Sequence, residues 1–275
     1  MTLSLLELLL GAAATLLLWT LVRSPSPIAI LARGLARIVR ERAYRTPLLL
    51  VLGVLAFDLV QCTFDDRLTA LLGYDCTGWI HAAEGDVASA VQKLAWLPAI
   101  YVFAFFYVVM FPVITAAPLI YFAATERLRA YRALLFGVIV NYAVCLPFYF
   151  FFPVKEMWAG NPAHVSLLLD RLSPAIMEAY RATSALDNCF PSFHTSLALT
   201  SALIVRRTCP RAFARAIGAS AVIIVASTLY LGIHWALDVA AGTALAVLAA
   251  RAMLKGACGT PRPTHHHRRD TAQGE

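Results

Sequence analysis

The chain has 275 residues, of which 60% are hydrophobic and 14% charged, and its mean hydropathy is +0.70. Soluble domains are about half apolar and about a quarter charged. The composition therefore excludes a soluble enzyme, a coiled coil and a disordered protein, and it indicates an integral membrane protein. The net charge of +7 does not indicate nucleic-acid binding, because most basic residues flank apolar segments, where they orient membrane helices.

Apolar segments recur along most of the chain. A bilayer core of about 30 Å requires about 20 helical residues. Seven segments meet or approach this length, at 3–22, 47–61, 95–123, 133–153, 191–205, 216–231 and 233–254. We therefore predict an all-α polytopic membrane bundle with six to seven transmembrane helices. The third segment is long and carries Pro112 and Pro118, so we expect it to kink, to overrun the bilayer or to end in an interfacial turn.

Residues 28–43, between the first two segments, combine apolar residues with arginines at helical spacing. This pattern predicts an amphipathic helix that lies on an anionic membrane surface. A solvated basic loop is the alternative interpretation.

The basic residues are distributed unevenly between the two sets of loops. Eighteen of the 23 Lys and Arg residues fall in one set, and most acidic residues fall in the other. Because cytoplasmic loops retain positive charge, segments 62–94 and 154–190 are predicted to face outward. The predicted location is a bacterial inner membrane with these segments in the periplasm, or a Golgi membrane with them in the lumen.

Six cysteines are present without a Cys-x-x-Cys pair, so they predict neither a zinc ribbon nor a disulfide framework. Cys62 and Cys76 share one outward segment, and an oxidising compartment would permit a disulfide between them without requiring it. The run His265–His267 is typical of a disordered tail, and we predict no metal site there, because a flexible histidine tract holds metal without a built site.

Two motifs combine ionisable residues with the ends of apolar segments. The first, Asn188–His194, begins the fifth segment, and the second, Ser227–Asp238, passes through Gly232 into the seventh. Ionisable residues within membranes are costly, so they favour a functional interpretation. Both motifs are predicted to lie at the outer membrane face.

The residue types of the two motifs suit phosphoryl transfer. His234 and Asp238 stand four apart, so on one helix the carboxylate would contact the imidazole and prepare it as a nucleophile or base. His194 follows Pro191-Ser192, which is typical of a helix start. Two helix N-termini would then converge and offer free N–H groups to a phosphate, with one histidine as nucleophile and one as proton donor.

Each motif also has a simpler interpretation. The His-x-x-x-Asp pair could be a structural hydrogen bond, and His194 could be an interfacial cap. Two histidines and an aspartate could also supply three zinc ligands.

The two motifs resemble the second and third motifs of the type 2 phosphatidic acid phosphatase superfamily, Pro-Ser-Gly-His and Ser-Arg-x5-His-x3-Asp. The matching residues are Pro191, Ser192 and His194 for the second motif and Ser227, His234 and Asp238 for the third. Phe193 stands where the family has Gly, and Thr228 where it has Arg. The resemblance covers about residues 95–254.

The resemblance implies a catalytic role for three residues. His234 would form a phosphohistidine, Asp238 would orient it, and His194 would protonate the leaving group. It implies neither a metal nor another cofactor. The predicted substrate-binding residues are Ser192, Ser227, Thr228, Lys155, Asn188 and Tyr230.

The first family motif, Lys-x6-Arg-Pro, is poorly met. Lys155 stands at the outer end of the fourth segment, but Asn161-Pro162 follows one residue early and without the Arg. Lys155 is therefore either a phosphate ligand or a snorkelling interfacial lysine. Arg171, Tyr180 and Arg181 are either head-group ligands or plain loop residues.

The missing arginines remove two phosphate clamps, and the sequence looks more like the inositol phosphorylceramide synthase branch. That branch implies transfer of a head-group phosphate from a phospholipid to a lipid alcohol. The alternatives are a lipid or polyprenyl phosphate phosphatase that uses water, and a non-catalytic transporter or scaffold with a decayed site. The expected partners are membrane lipids and the bilayer, with no nucleic acid.

The expected organisation has four parts. Residues 1–46 would form a transmembrane helix and the basic interfacial segment, and residues 47–94 a second helix and an acidic outer loop. Residues 95–254 would form the catalytic core, and residues 255–275 a disordered cytoplasmic tail.

Overall fold

The computed structural model describes residues 2–22, 25–62, 64, 71–85, 87–161, 164–172, 177, 180 and 186–257. Ten helices are described, and within these residues no strand is present. They are α1 (Thr2–Thr20), α2 (Pro27–Arg40), α3 (Arg42–Cys62), α4 (Thr77–Glu84), α5 (Val87–Gln92), α6 (Leu97–Ala124), α7 (Leu128–Phe151), α8 (Phe193–Thr208), α9 (Arg211–Tyr230) and α10 (Ala236–Ala257). Single helical turns lie at Met157–Gly160 and Leu168–Arg171. The predicted tail beyond Ala257 lies outside the described residues.

Five of these helices are long and apolar enough to cross a membrane. They are Arg42–Gln61, Leu97–Ala124, Leu128–Phe151, Arg211–Tyr230 and Ala236–Lys255. The apolar part of α1, Leu8–Thr20, is shorter, and α8 has only 16 residues. The predicted polytopic helical membrane bundle is confirmed.

Helix α8 lies at the centre of the bundle and packs against α7, α9 and α10. Its buried face carries small and hydroxyl side chains, which let helices approach closely and bond to each other in a membrane. Asn141 of α7 donates to Thr200 Oγ1 at 3.1 Å and accepts from Ser196 Oγ. These bonds fix α8 against α7.

Helix α6 remains continuous through Pro112 and Pro118, but Phe105–Met110 forms a π-helical turn. Proline lacks the N–H that an α-helix uses and its ring crowds the carbonyl four residues earlier, so a wider turn just before Pro112 relieves the conflict. The predicted disturbance of this span is therefore a π-helical turn in its middle.

The predicted amphipathic helix is present as α2, which begins after Ser26 and ends at Arg40. It packs on the end of α6, where a Cβ on Gly34 would lie 2.6 Å from Ile120 O. Its outer face leaves Ile28 and Val39 exposed. The contact with α6 gives this segment a fixed place in the bundle.

The disulfide left open for Cys62 and Cys76 is not formed, because Cys76 carries a free, buried thiol. The side chain of Cys62 lies outside the described residues.

Candidate active site

The start of α8 is held by hydrogen bonds to its own first turn and to α10. Ser192 Oγ accepts from Thr195 N at 3.3 Å, and Ser192 N donates to Asp238 O at 3.1 Å. A Cβ on Gly242 would lie 2.5 Å from Ser192 O, so glycine is what permits this close approach. His194 is thereby placed in the first turn of α8, as predicted.

The turn between α9 and α10 makes the last helix begin later than predicted. Gly232 has φ +82°, a backbone conformation that suits glycine. The N–H groups of Ile233 and His234 both donate to Thr228 O, at 3.0 and 3.1 Å, and this closes the end of α9. Helix α10 begins only at Ala236. The prediction of one helix from 233 that carries both His234 and Asp238 is wrong, because the left-handed turn delays the helix.

The contact between His234 and Asp238 is nevertheless made. Asp238 Oδ2 accepts from Trp235 N at 2.9 Å and lies 3.4 Å from His234 Nδ1. The carboxylate therefore reaches back over the N-terminus of α10, where backbone N–H groups favour negative charge. His234 is 4% exposed and Asp238 is fully buried.

The two histidines lie together at this end of the bundle. The ring centroids of His194 and His234 are 6.0 Å apart, with an angle of 56° between the planes. The His194 ring lies 4.4 Å from Tyr107 and 4.4 Å from Phe111. Tyr107 belongs to the π-helical turn of α6, so a third helix completes the site.

Cys189 is part of the site, and sequence reasoning missed it. Its Sγ lies 3.1 Å from His234 Nδ1 and 2.9 Å from Asp238 Oδ2. The ligand atoms of these three buried residues all lie within 4.8 Å of one another, a set that could hold a metal ion. The zinc site that the sequence left open would therefore use the Cys189 thiol as its third ligand instead of His194. The available signal was the position of Cys189 within the first motif.

Backbone pairing positions Cys189. Val154 N donates to Asp187 O at 3.0 Å, and Cys189 N donates to Val154 O at 3.2 Å. Asn188, a predicted substrate-binding residue, lies in this isolated bridge opposite Val154. The segment that follows the C-terminal end of α7 and the first motif are joined here.

Three other predicted substrate-binding residues hydrogen-bond away from the histidine pair. Ser227 Oγ donates to Ile224 O at 2.6 Å, and Thr228 Oγ1 donates to Val225 O at 2.8 Å. The Tyr230 hydroxyl accepts from Trp96 N at 3.1 Å. Ser227 and Thr228 bond within α9, whereas Tyr230 joins α9 to the start of α6.

Lys155 forms an ion pair with another segment. Its Nζ lies 3.2 Å from Asp75 Oδ2, and its carbonyl accepts from Trp235 Nε1 at 2.9 Å. Burial alone would raise the pKa of the Asp75 carboxyl. Hydrogen bonds from Lys155 and from Thr77 N–H outweigh that effect, so the pKa lies below its usual value. A polar cavity beside Trp235 contains this pair together with His81 and Gly160.

The predicted head-group residues differ in their surroundings. Arg171 is exposed, and Arg181 lies outside the described residues. The Tyr180 hydroxyl donates to Glu156 Oε1, and Trp158 Nε1 donates to Glu156 Oε2 at 2.6 Å. Glu156, which is 3% exposed, is a buried carboxylate that the sequence analysis did not single out.

A family model described as the PAP2 superfamily matches residues 79–252. The chain belongs to the PAP2 superfamily. The match covers both motifs and begins in α4, somewhat before the predicted range. Comparison with curated proteins and with solved structures finds no match. Members of this superfamily are phosphatases and phosphotransferases, so membership indicates an enzyme that acts on lipid phosphates.

Proposed function

We propose that this PAP2-superfamily protein is a lipid phosphotransferase. It would move a head-group phosphate from a phospholipid to a lipid alcohol, as in the inositol phosphorylceramide synthase branch. The observation that carries the proposal is the pairing of His194 and His234 at 6.0 Å, with Asp238 against the latter. One nucleophile and one proton donor on opposite sides of a phosphate are what the reaction requires.

In the first half-reaction, His234 Nε2 attacks phosphorus while Asp238 holds the proton on Nδ1. The bond between phosphorus and the diacylglycerol oxygen breaks as the P–N bond forms. His194, protonated when the anionic phosphate is bound beside it, gives its proton to the departing oxygen. The product is a phosphohistidine that still carries the head group.

In the second half-reaction, neutral His194 removes the proton from the hydroxyl of the acceptor lipid. The acceptor oxygen attacks phosphorus, the P–N bond breaks, and His234 returns to its starting state. Each histidine thus reverses its role, as microscopic reversibility requires. No proton or electron is left over after one cycle.

Two features support an alcohol as acceptor in preference to water. The His194 ring stacks on Tyr107 and contacts Phe111, and His234 is nearly buried, so aromatic side chains line the site. Thr228 stands where family members have a phosphate-clamping arginine, and Asn161-Pro162 lacks the arginine of the first motif. A diester that retains its head group carries less negative charge than a phosphomonoester and needs fewer cationic clamps.

We further propose that the site faces outward. The motifs lie at the end of the bundle opposite the arginine-rich helix ends, and arginine-rich loops remain cytoplasmic. The donor and the acceptor would then both come from the outer leaflet. In a bacterium this face is periplasmic, and in a Golgi membrane it is luminal.

The test is mass spectrometry of the lipid products formed by purified protein in detergent. Phosphatidylinositol plus ceramide is one substrate mixture, and phosphatidic acid alone is the other. We expect a phosphorylated sphingolipid and an equal amount of diacylglycerol from the first mixture. The matched control is His164→Gln, which alters an exposed histidine outside the proposed machinery.

The other outcomes are distinct. Inorganic phosphate from phosphatidic acid, with no transfer product, would replace the proposal with a phosphatase. A 32P label trapped on His234 would exclude a non-catalytic transporter or scaffold. Turnover of any lipid by His234→Ala at the wild-type rate would refute the proposed nucleophile.

A further inference from the structure

Cys189, His234 and Asp238 form a nearly regular triangle of ligand atoms. The edges are 3.1 Å from Sγ to Nδ1, 2.9 Å from Sγ to Oδ2 and 3.4 Å from Nδ1 to Oδ2. A zinc ion bound tetrahedrally at usual bond lengths separates sulfur, nitrogen and oxygen ligands by about 3.3–3.6 Å. An expansion of up to about 0.7 Å along these edges would therefore convert the hydrogen-bonded triangle into one face of a zinc site.

A second observation concerns the unused oxygen of Asp238. Asp238 is fully buried, and its Oδ1 has no hydrogen-bond partner among the residues that the structure describes. A buried carboxylate oxygen without a partner is costly. A cation bound beside the carboxylate would remove that cost.

We propose that Cys189, His234 and Asp238 bind zinc, and that the bound ion switches the enzyme off. The binding follows from the ligand set, whereas the inhibition rests on the proposed function. A thiolate, an imidazole and a carboxylate are the ligands that zinc prefers. Cys189 has no role in the proposed reaction cycle. Its thiol contacts the nucleophile His234, so a ligand bound there would regulate the reaction.

The inhibition follows from the histidine tautomer. Catalysis needs the proton on Nδ1, held by Asp238, so that Nε2 has a free electron pair. Zinc on Nδ1 forces the ring proton to Nε2, which can then no longer attack phosphorus. The thiol proton of Cys189 passes to solvent, so one proton is released for each zinc bound.

The binding test uses the full chain with His265–His267 replaced by Ala, because that histidine run would itself bind metal. We expect one equivalent of Zn²⁺ to bind, and Co²⁺ at the site to give a thiolate-to-cobalt charge-transfer band. Cys189→Ser should abolish the band. It should also weaken zinc binding by more than about 100-fold, since loss of a mere supporting partner costs about 10–100-fold.

The matched control is Cys209→Ser, which alters a free, partly buried thiol at the other end of α8 and should bind zinc normally. If Cys189→Ser does not fold, a chain that retains Cys189 as its sole cysteine must still give the cobalt band. Binding that is unchanged in Cys189→Ser, or no band in the single-cysteine chain, would overturn the proposal.

The activity test measures the ratio of turnover with and without Zn²⁺ for each variant. We expect strong inhibition of the unsubstituted enzyme and a ratio near one for Cys189→Ser. If zinc binds through Cys189 but does not inhibit turnover, the proposed inhibition is refuted and the proposed zinc site stands. Absence of lipid turnover would refute the proposed function and the inhibition that rests on it, but not the zinc site, because the cobalt band does not depend on activity.

Discussion

The two ends of the helix bundle use charged side chains in opposite ways. At the site end, His234 and Asp238 are almost fully buried and contact each other. At the other end, Arg37 donates to Ala123 O at 2.8 Å and pairs with Glu126 at 2.6 Å, while Arg127 donates to Thr208 O. These arginines are close to solvent and satisfy the last carbonyls of α6 and α8.

The two ends differ in burial, because the charged groups at the site end are removed from water and the arginines at the other end keep contact with it. An exposed arginine at a helix C-terminus neutralises carbonyls and is stabilised by water. A buried histidine and carboxylate have only each other and a few neighbours, so their proton positions become specific. Substitution of the buried His234 or Asp238 should therefore lower the rate, whereas substitution of the arginines at the other end should lower only the stability.

The largest effect is expected from His234→Gln at the site end. Turnover should fall by about 10⁴-fold or more, because the nucleophile is removed. Lipid product is measured by mass spectrometry, with His164→Gln as the matched control. A loss smaller than tenfold would mean that another group attacks phosphorus.

The next largest effect is expected from Asp238→Asn. The amide would no longer fix the imidazole tautomer, so kcat should fall by about 10²–10⁴-fold. Because the two residues act as a unit, the double variant with His234→Gln should be no slower than His234→Gln alone. Additive losses would show that Asp238 acts separately from the histidine.

Gly242→Ala should affect both rate and stability. The new Cβ would meet Ser192 O at 2.5 Å and push α10 away from the start of α8. We expect a loss of about 1–3 kcal/mol in unfolding free energy, with reduced turnover. Gly218→Ala is the control, since a Cβ there has no neighbour within 4 Å, and it should be neutral or stabilising. Equal behaviour of the two variants would contradict the close approach.

Arg37→Ala tests the opposite end of the bundle. It removes the bonds to Ala123 O and Glu126, so the unfolding free energy should fall by about 1–2 kcal/mol. The rate per folded molecule should not change. Arg33→Ala, on the exposed face of α2, should leave both unchanged. A selective loss of rate in Arg37→Ala would refute the division of roles between the ends.

The smallest effect is expected from Asp75→Asn, which breaks a half-exposed ion pair with Lys155. The lowered pKa of Asp75 means that its stabilisation is present above the unfolded-state pKa and is lost as pH falls through the folded one. Denaturation should show a cost of about 0.2–1 kcal/mol at pH 7, which should disappear as the pH falls below the lowered pKa of Asp75. If the loss of unfolding free energy persists in acid, it is caused by changed packing and not by the lost charge.

Much of the site was predictable because its residues lie in short contiguous motifs. His194, His234 and Asp238 lie in two short motifs whose spacing is typical of the superfamily, and their roles remain proposals. The start of α8 at Phe193 followed from Pro191-Ser192. The start of α10 could not be predicted in this way, because the conformation of Gly232 depends on contacts beyond its own segment. A Cβ there would lie 2.6 Å from Ser166 O, in the loop between α7 and α8.

The sequence by itself determined that this is a helical membrane protein of the PAP2 superfamily with its candidate catalytic residues in two motifs. Hydrophobicity and motif spacing are properties of contiguous residues, so they need no fold to be recognised. Only the tertiary structure placed Tyr107 against His194, Cys189 against His234 and Asp75 against Lys155. Partners such as Tyr107 and His194, 87 positions apart, meet only when helix packing brings their helices together, and no local pattern encodes that contact.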